Sequence, residues 1–220
     1  MASKSGRKAR RKMLKSNTLS EFCSALASSE PTPGGGSAAA AGGAMGAALV
    51  GMVAELTLER DEARALGKEI EGLRDKVHSL RKKLLELVDK DTQAFNEVRE
   101  GLRLPRRTET EKSSRREALQ KAYLFASEVP LSTAECCQAV LVVAGSLVLS
   151  TNRLIASDLA TGVLLAHAGV HGAVLNIEAN LPHVRDEKLA RALRERSGPL
   201  RERADSLRDE ILRKLATISR

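Results

Sequence analysis

Tryptophan is absent from this chain of 220 residues, tyrosine occurs once and phenylalanine three times, so aromatics make up only 2% of it. That scarcity argues against single-stranded nucleic-acid modules, which stack bases on rings, and against most β-sandwiches and ring-lined sugar sites. Hydrophobic residues still reach 42%. The core must therefore be built from Ala, Leu, Val and Gly, a composition that favours closely packed helices. Cysteine is scarce too. Cys23, Cys136 and Cys137 are odd in number and two are adjacent, which suits small core residues in a reducing cytoplasm better than a disulfide framework.

Acidic residues are missing from the first fifteen positions, where Lys4, Arg7, Lys8, Arg10, Arg11, Lys12 and Lys15 supply seven positive charges. Removing those seven from the formal +8 leaves +1 for the remainder, so the basicity describes a tail and not the folded body. Residues 1–16 read as a disordered basic tail, ahead of a single helical domain over residues 17–220. Solvation is the plain reading of the tail; contact with nucleic acid or an acidic membrane surface, or organellar targeting, are the alternatives. No secretory signal is visible, because polar Ser16, Asn17 and Thr18 and then Glu21 follow the basic stretch. Pro31 to Ala54 and Leu159 to Ile177 carry no Asp, Glu, Lys or Arg. Their Gly, Ala and polar content drives transfer into lipid only weakly, so buried helices of a soluble bundle are expected.

The periodicity is helical nearly throughout. Thr18 and Glu21 have capping-box spacing and open a short helix through Leu19, Phe22, Cys23 and Leu26. A Gly/Ala-rich helix is predicted from about Ser37 to Glu59, with Gly42 and Gly46, and Gly43, Ala47 and Gly51, at steps of four that let backbones approach. The next helix, about Asp61 to Gly101, carries Leu66, Ile70, Leu73, Val77, Leu80, Leu84, Leu87, Asp91, Ala94 and Val98 in a heptad register. Asp91 occupies a core slot there, so its carboxylate must be paired, hydrogen-bonded or used. Thr108 and Glu111 start a helix that Pro130 is expected to end, and Ser132 with Glu135 start another. From about Ser157 to Leu181, Asp158, Gly162, Ala166, Gly169, Ala173, Asn176 and Asn180 share one small, polar stripe. It could border a ligand cleft, or serve close helix crossing with Asp158 as a cap. Two final helices follow Pro182.

Pro31-Thr32-Pro33-Gly34-Gly35-Gly36-Ser37 is the sharpest local feature, because it leaves backbone N–H groups unshielded at a helix start, where anions and carbonyls bind. It is not a nucleotide phosphate loop, since no Gly-Lys-Ser/Thr follows, and a purely structural turn is the alternative. His167 and His171 stand at i, i+4, but no third metal ligand is evident in the sequence. No nucleophile-elbow or Cys-His signature supports covalent catalysis.

The string LSEFCSALASSEPTPGGGSAAAAGGAMGAALVGMVAELT, followed by LVDKDTQAFNEV, LPRRTETEKSSRREALQKA and SDLATGVLLAHAGVHGAVLNIEANL, resembles the formiminotetrahydrofolate cyclodeaminase and methenyltetrahydrofolate cyclohydrolase family. The resemblance covers roughly residues 18 to 200. It implies an all-α antiparallel bundle with long central helices, assembled as a homodimer, acting on a folate with no metal or separate cofactor. His167 and His171 fall where the family pattern is usually not His. Asp91 and Asp158 are the carboxylates assigned to the reacting carbon. Pro33, Gly34, Gly35, Gly36, Ser37, Asn96, Asn152, Ser157, Asn176 and Asn180 are candidates for substrate binding, and Arg115, Arg116 and Lys121 for a (poly)glutamate tail. A standalone domain resembles the cyclohydrolases, so hydrolysis of 5,10-methenyltetrahydrofolate to 10-formyltetrahydrofolate is the favoured activity. Cyclodeamination of formiminotetrahydrofolate is the alternative, and a non-catalytic helical module using the basic tail is a second one.

Overall fold

The computed structural model of the protein describes residues 13–60 and 65–218. Among them the elements are helices α1 (Leu19–Leu26), α2 (Gly35–Leu58), α3 (Gly67–Arg103), α4 (Glu109–Leu147), α5 (Ala156–Asn180), α6 (Glu187–Ser197) and α7 (Leu200–Ile218), with 3-10 turns at Leu14–Ser16, Val148–Ser150 and Leu181–His183. No strand occurs among the described residues. Both capping boxes form as their spacing implies: the Thr18 and Thr108 hydroxyls accept from the N–H of Glu21 and Glu111, whose carboxylates accept from the threonine N–H groups.

Helix α2 runs through the middle of the bundle against α5, α3 and α4, and its two small stripes serve different neighbours. A Cβ on Gly46 would lie 2.7 Å from the Gly162 carbonyl oxygen and 2.9 Å from the Ala166 nitrogen of α5. On the other stripe, a Cβ on Gly43 would overlap Cys137 Sγ of α4, and one on Gly51 would crowd the His78 ring of α3. The backbones thus meet at distances that larger residues would forbid. The heptad of α3 is also observed: Ile70, Val77, Leu84, Leu87 and Ala94 are buried, and Leu73, Leu80 and Val98 pack against them. Leu66 departs from it, lying exposed just before the helix. Three helices (Gly35–Leu58, Glu109–Ser150 and Ala156–His183) are long and apolar enough to cross a membrane, by length and composition only.

Three expectations require correction. Pro130 does not end a helix; α4 passes through it without a break from Glu109 to Leu147. Of the three cysteines, Cys136 and Cys137 are core residues, whereas Cys23 is exposed. The tail was expected to be disordered to residue 16, yet Leu14–Ser16 form a turn on α3, with the Leu14 N–H donating to Asp89 Oδ1 at 2.6 Å. Its first twelve residues lie outside the described residues.

Candidate active site

Asp91 projects from α3 toward the first turn of α2, and that juxtaposition defines the site. The glycine loop delivers Gly35, Gly36 and Ser37 as the opening residues of α2, with Gly34 as the residue before it. Ser37, fully buried, donates its hydroxyl to Asp91 Oδ2 at 2.8 Å and stands 3.1 Å from the Val88 carbonyl oxygen. A Cβ on Gly36 would occupy the space of the Asp91 carboxylate, so only glycine lets the carboxylate reach the helix end. Burial pushes the Asp91 carboxyl above its ordinary value, while hydrogen bonds from the Ser37 side chain and backbone pull the other way. The positive end of the α2 macrodipole also favours its ionised form. The result is a carboxylate whose proton affinity is raised by burial and moderated by Ser37, facing a cleft of about 450 Å³.

That cleft is lined by Pro31, Thr32, Gly34, Gly35 and Gly36 on one side, and by Ala94, Phe95, Val98, Tyr123, Asn176, Asn180 and His183 on the others. Asn176 Nδ2 donates to the Gly172 carbonyl at 2.8 Å, and Asn180 Nδ2 to the Ala126 carbonyl at 2.7 Å. Pro33 is buried beneath the loop. Tyr123 and His183 are stacked, with ring centroids 4.5 Å apart and planes at 19°. Both also line a second cleft of about 670 Å³, which holds Arg106, Lys112, Arg115, Arg116 and Arg185 and no acidic residue. The two clefts share Leu102, Tyr123 and His183, so an apolar-walled compartment with one carboxylate opens onto a cationic one.

Several residues assigned to the site lie elsewhere. Helices α2 and α5 are antiparallel, with Gly35 beside Asn176 and Gly46 beside Gly162. A rise of about 1.5 Å per residue then puts Asp158 about 27 Å along α5 from Asn176, so Asp158 does not join Asp91 within the chain. Asn152 Oδ1 accepts from the N–H groups of Leu154 and Ile155, shaping the turn before α5 at that same distant end, and Ser157 is exposed there. Asn96 faces a separate cavity with Asp89, Gln93 and Glu100. Lys121 is exposed and outside the cationic cleft, whereas Arg115 and Arg116 line it. Asp89, two residues before Asp91 on α3, is half-buried and anchors Leu14.

Sequence reasoning missed Phe95, Tyr123, His183, Arg106 and Arg185. The available signal was that Phe95 stands one turn beyond Asp91 on α3. For His167 and His171 the fold supplies the third group absent from the sequence pattern, Asp205 of α7.

Comparison with known proteins places this geometry. The family model described as formiminotransferase-cyclodeaminase matches residues 18–198. A methenyltetrahydrofolate cyclohydrolase from Methylorubrum extorquens is 36% identical over 200 residues, covering 90% of this chain and 96% of that protein. A formimidoyltransferase-cyclodeaminase from Sus scrofa is 34% identical over 197 residues, which cover 90% of this chain but 36% of that protein. The chain thus spans about a third of that relative's length. The crystal structure of a formiminotetrahydrofolate cyclodeaminase from Thermotoga maritima superposes with a TM-score of 0.83 at 27% identity, covering 93% of this chain and 98% of that one. By sequence over most of its length, and by the course of its helices, the chain belongs to the formiminotransferase-cyclodeaminase family of enzymes.

Proposed function

We propose that the protein is a methenyltetrahydrofolate cyclohydrolase in which Asp91 is the catalytic carboxylate. The observation that carries this reading is the Asp91 carboxylate, held by Ser37 against the start of α2 and opening into a cleft walled by Phe95 and Tyr123. The substrate's methenyl bridge is cationic, so a carboxylate beside it supplies the opposing charge. Water adds to the bridging carbon, and Asp91 takes its proton as the tetrahedral adduct forms. The bond from that carbon to N5 then breaks. The adduct's hydroxyl proton passes to N5 through Asp91, leaving the formyl group on N10 and releasing one proton to solvent overall. The Gly35 N–H, at the exposed start of α2, is assigned to hydrogen-bond the adduct's oxygen or the pterin. Asn176 is assigned to the pterin, and the cationic cleft to the glutamate tail or its polyglutamate extension.

A second reading, cyclodeamination of formiminotetrahydrofolate, is favoured by the likeness to the Thermotoga maritima enzyme. It uses the same bridging carbon and the same carboxylate, with ammonia leaving in place of ring opening. In either case we assign a cytoplasmic location and a homodimer. Loss of the methenyl absorbance on addition of enzyme, faster than the uncatalysed rate and abolished in Asp91→Asn, tests the first reading. Ammonia release with formation of that absorbance from the formimino substrate, without hydrolysis of the methenyl compound, would replace it with the second.

A further inference from the structure

On the side of α5 turned toward α7, about 140–180° round the helix from Asn176 by a periodicity of about 3.6 residues, two imidazoles and a carboxylate converge. His167 Nε2 lies 2.6 Å and His171 Nε2 3.2 Å from the same oxygen, Asp205 Oδ1. The two rings are 4.4 Å apart at their centroids, tilted by 45°. One ligand atom from each residue falls within 4.8 Å of the others. We propose that His167, His171 and Asp205 form a binding site for a divalent transition-metal ion of the zinc type, which clasps α7 to α5.

The hydrogen bonding of the cluster points the same way. Arg208 Nη1 stands 3.0 Å from His167 Nε2 and 3.3 Å from Asp205 Oδ1. A guanidinium only donates, and an ionised carboxylate only accepts. With its proton on Nε2, His167 donates to Asp205 but stands 3.0 Å from a second donor, Arg208 Nη1; with the proton on Nδ1 it accepts from Arg208 but faces the carboxylate oxygen at 2.6 Å, so each tautomer leaves one contact between like partners. A metal ion removes the conflict, because both imidazole lone pairs and the carboxylate can point at one centre. Bonds of about 2.0–2.1 Å in a tetrahedral site put ligand atoms about 3.3 Å apart, so the Nε2–Oδ1 separations observed need open by less than about 1 Å. Arg208 can yield the space, since Asp209 Oδ1 already accepts from its Nε and Nη2, each at 2.8 Å.

The donor set selects the ion. Two imidazoles and one carboxylate suit zinc, cobalt, nickel or copper, and not magnesium or calcium, which prefer oxygen ligands throughout. His167 is nearly enclosed, with 15% of its side chain exposed, whereas Asp205 is 41% exposed. Water can therefore complete the coordination from the Asp205 side. Helix α7 follows the residues matched to the family model, which stop at 198, and the clasp ties it to α5.

The test uses the full-length protein, freed of metal with a chelator and titrated with Zn²⁺ by calorimetry and thermal unfolding. One ion should bind per chain and raise Tm by about 5 °C at a hundredfold excess over Kd. His171→Gln and Asp205→Asn should each weaken binding by at least the tenfold or so that loss of a mere outer partner of a metal site costs. Arg208→Ala should tighten it, because a competing cation is gone; this variant keeps all three ligands and so separates the metal site from general damage to the clasp. Co²⁺ should give tetrahedral visible bands without a thiolate charge-transfer band, which distinguishes the site from exposed Cys23. Failure of the wild type to bind Zn²⁺, binding unchanged in both ligand variants, or a thiolate band with Co²⁺ would each overturn the assignment.

Discussion

Asn180 donates from Nδ2 to the carbonyl of Ala126 at 2.7 Å, and Ala126 is the residue whose helical donor would have been the N–H that Pro130 lacks. A proline inside a helix leaves the carbonyl four residues earlier without a partner. Here a side chain from α5 supplies one. Continuity of α4 through Pro130 and the position of Asn180 at the cleft are thus two aspects of one contact.

A double-mutant cycle measures that repair. Asn180→Ala should cost about 1–3 kcal/mol in chemical denaturation, since Ala126 is buried and its carbonyl is left unpaired. In a Pro130→Ala background the backbone N–H returns, and the same substitution should cost clearly less. Equal costs in both backgrounds would show that Asn180 matters for another reason.

Gly36→Ala should disable the enzyme while leaving its helices formed. The added methyl takes the place of the Asp91 carboxylate, and a displacement of about 1 Å at a reacting group costs roughly 10²-fold in turnover. Gly72→Ala, on α3 away from the cleft, is the comparator. Nothing lies within 4 Å of its new Cβ, so activity there should stay within a few-fold of wild type.

Ser37→Ala should move the acid limb of the kcat/KM profile to higher pH. The Ser37 hydroxyl hydrogen-bonds the ionised Asp91 and draws its proton affinity down against burial. Removing that bond raises the value further, so a base that must be ionised needs a higher pH. A limb that stays in place or shifts to lower pH would dissociate Asp91 from proton transfer.

Asp91→Asn should lose activity by about 10²–10⁴-fold and lose a pH dependence of stability as well. Because the folded state raises this carboxyl above its ordinary value of 3.8, the folded protein holds the proton more tightly than the unfolded chain. Its contribution to stability is fully present below that value and is lost as pH rises through the raised one. The Asn variant has no such loss. The Tm of the variant relative to wild type should therefore climb as pH is raised from about 4 toward neutrality, and a constant difference across that range would sink the assignment.

Replacing Arg116 and Arg185 together with Ala should raise KM for a polyglutamylated folate by about tenfold or more, as expected for hydrogen bonds to charged groups, with kcat little changed. The effect should shrink with added salt. An unaltered KM would leave the cationic cleft without the role assigned to it.

Local chemistry made much of the fold readable. The capping boxes at Thr18 and Thr108 need only four residues each, and the heptad of α3 depends on spacing within one helix. The small stripes of α2 were legible because Gly and Ala at steps of four have few other uses. Asp91 stood out because it interrupted an apolar register. What escaped depended on partners far away in sequence. Pro130 reads as a terminator until Asn180 is known to be near. The stripe from Asp158 to Asn180 picks out one face of α5 but not which end meets the glycine loop; the antiparallel pairing with α2 brings Asn176 beside Gly35 and leaves Asp158 and Asn152 at the far end. Tyr123 and Phe95 were counted as part of a shortage, yet two of the chain's four aromatic rings line one cleft.

Cys137 fills the gap that Gly43 and Gly169 leave between α2, α4 and α5; a Cβ on Gly43 would overlap its sulfur, and one on Gly169 would lie 2.7 Å away. Burial also drives its thiol well above the ordinary range, away from the reactive thiolate. A thiol-specific reagent therefore meets separate clocks in one molecule: Cys23 on the surface is modified at once, while buried Cys136 and Cys137 are shielded and Cys137 waits for the three helices to separate. The rate of that late modification, followed by mass, gives the frequency with which the centre of the bundle opens, with no probe added to the sequence.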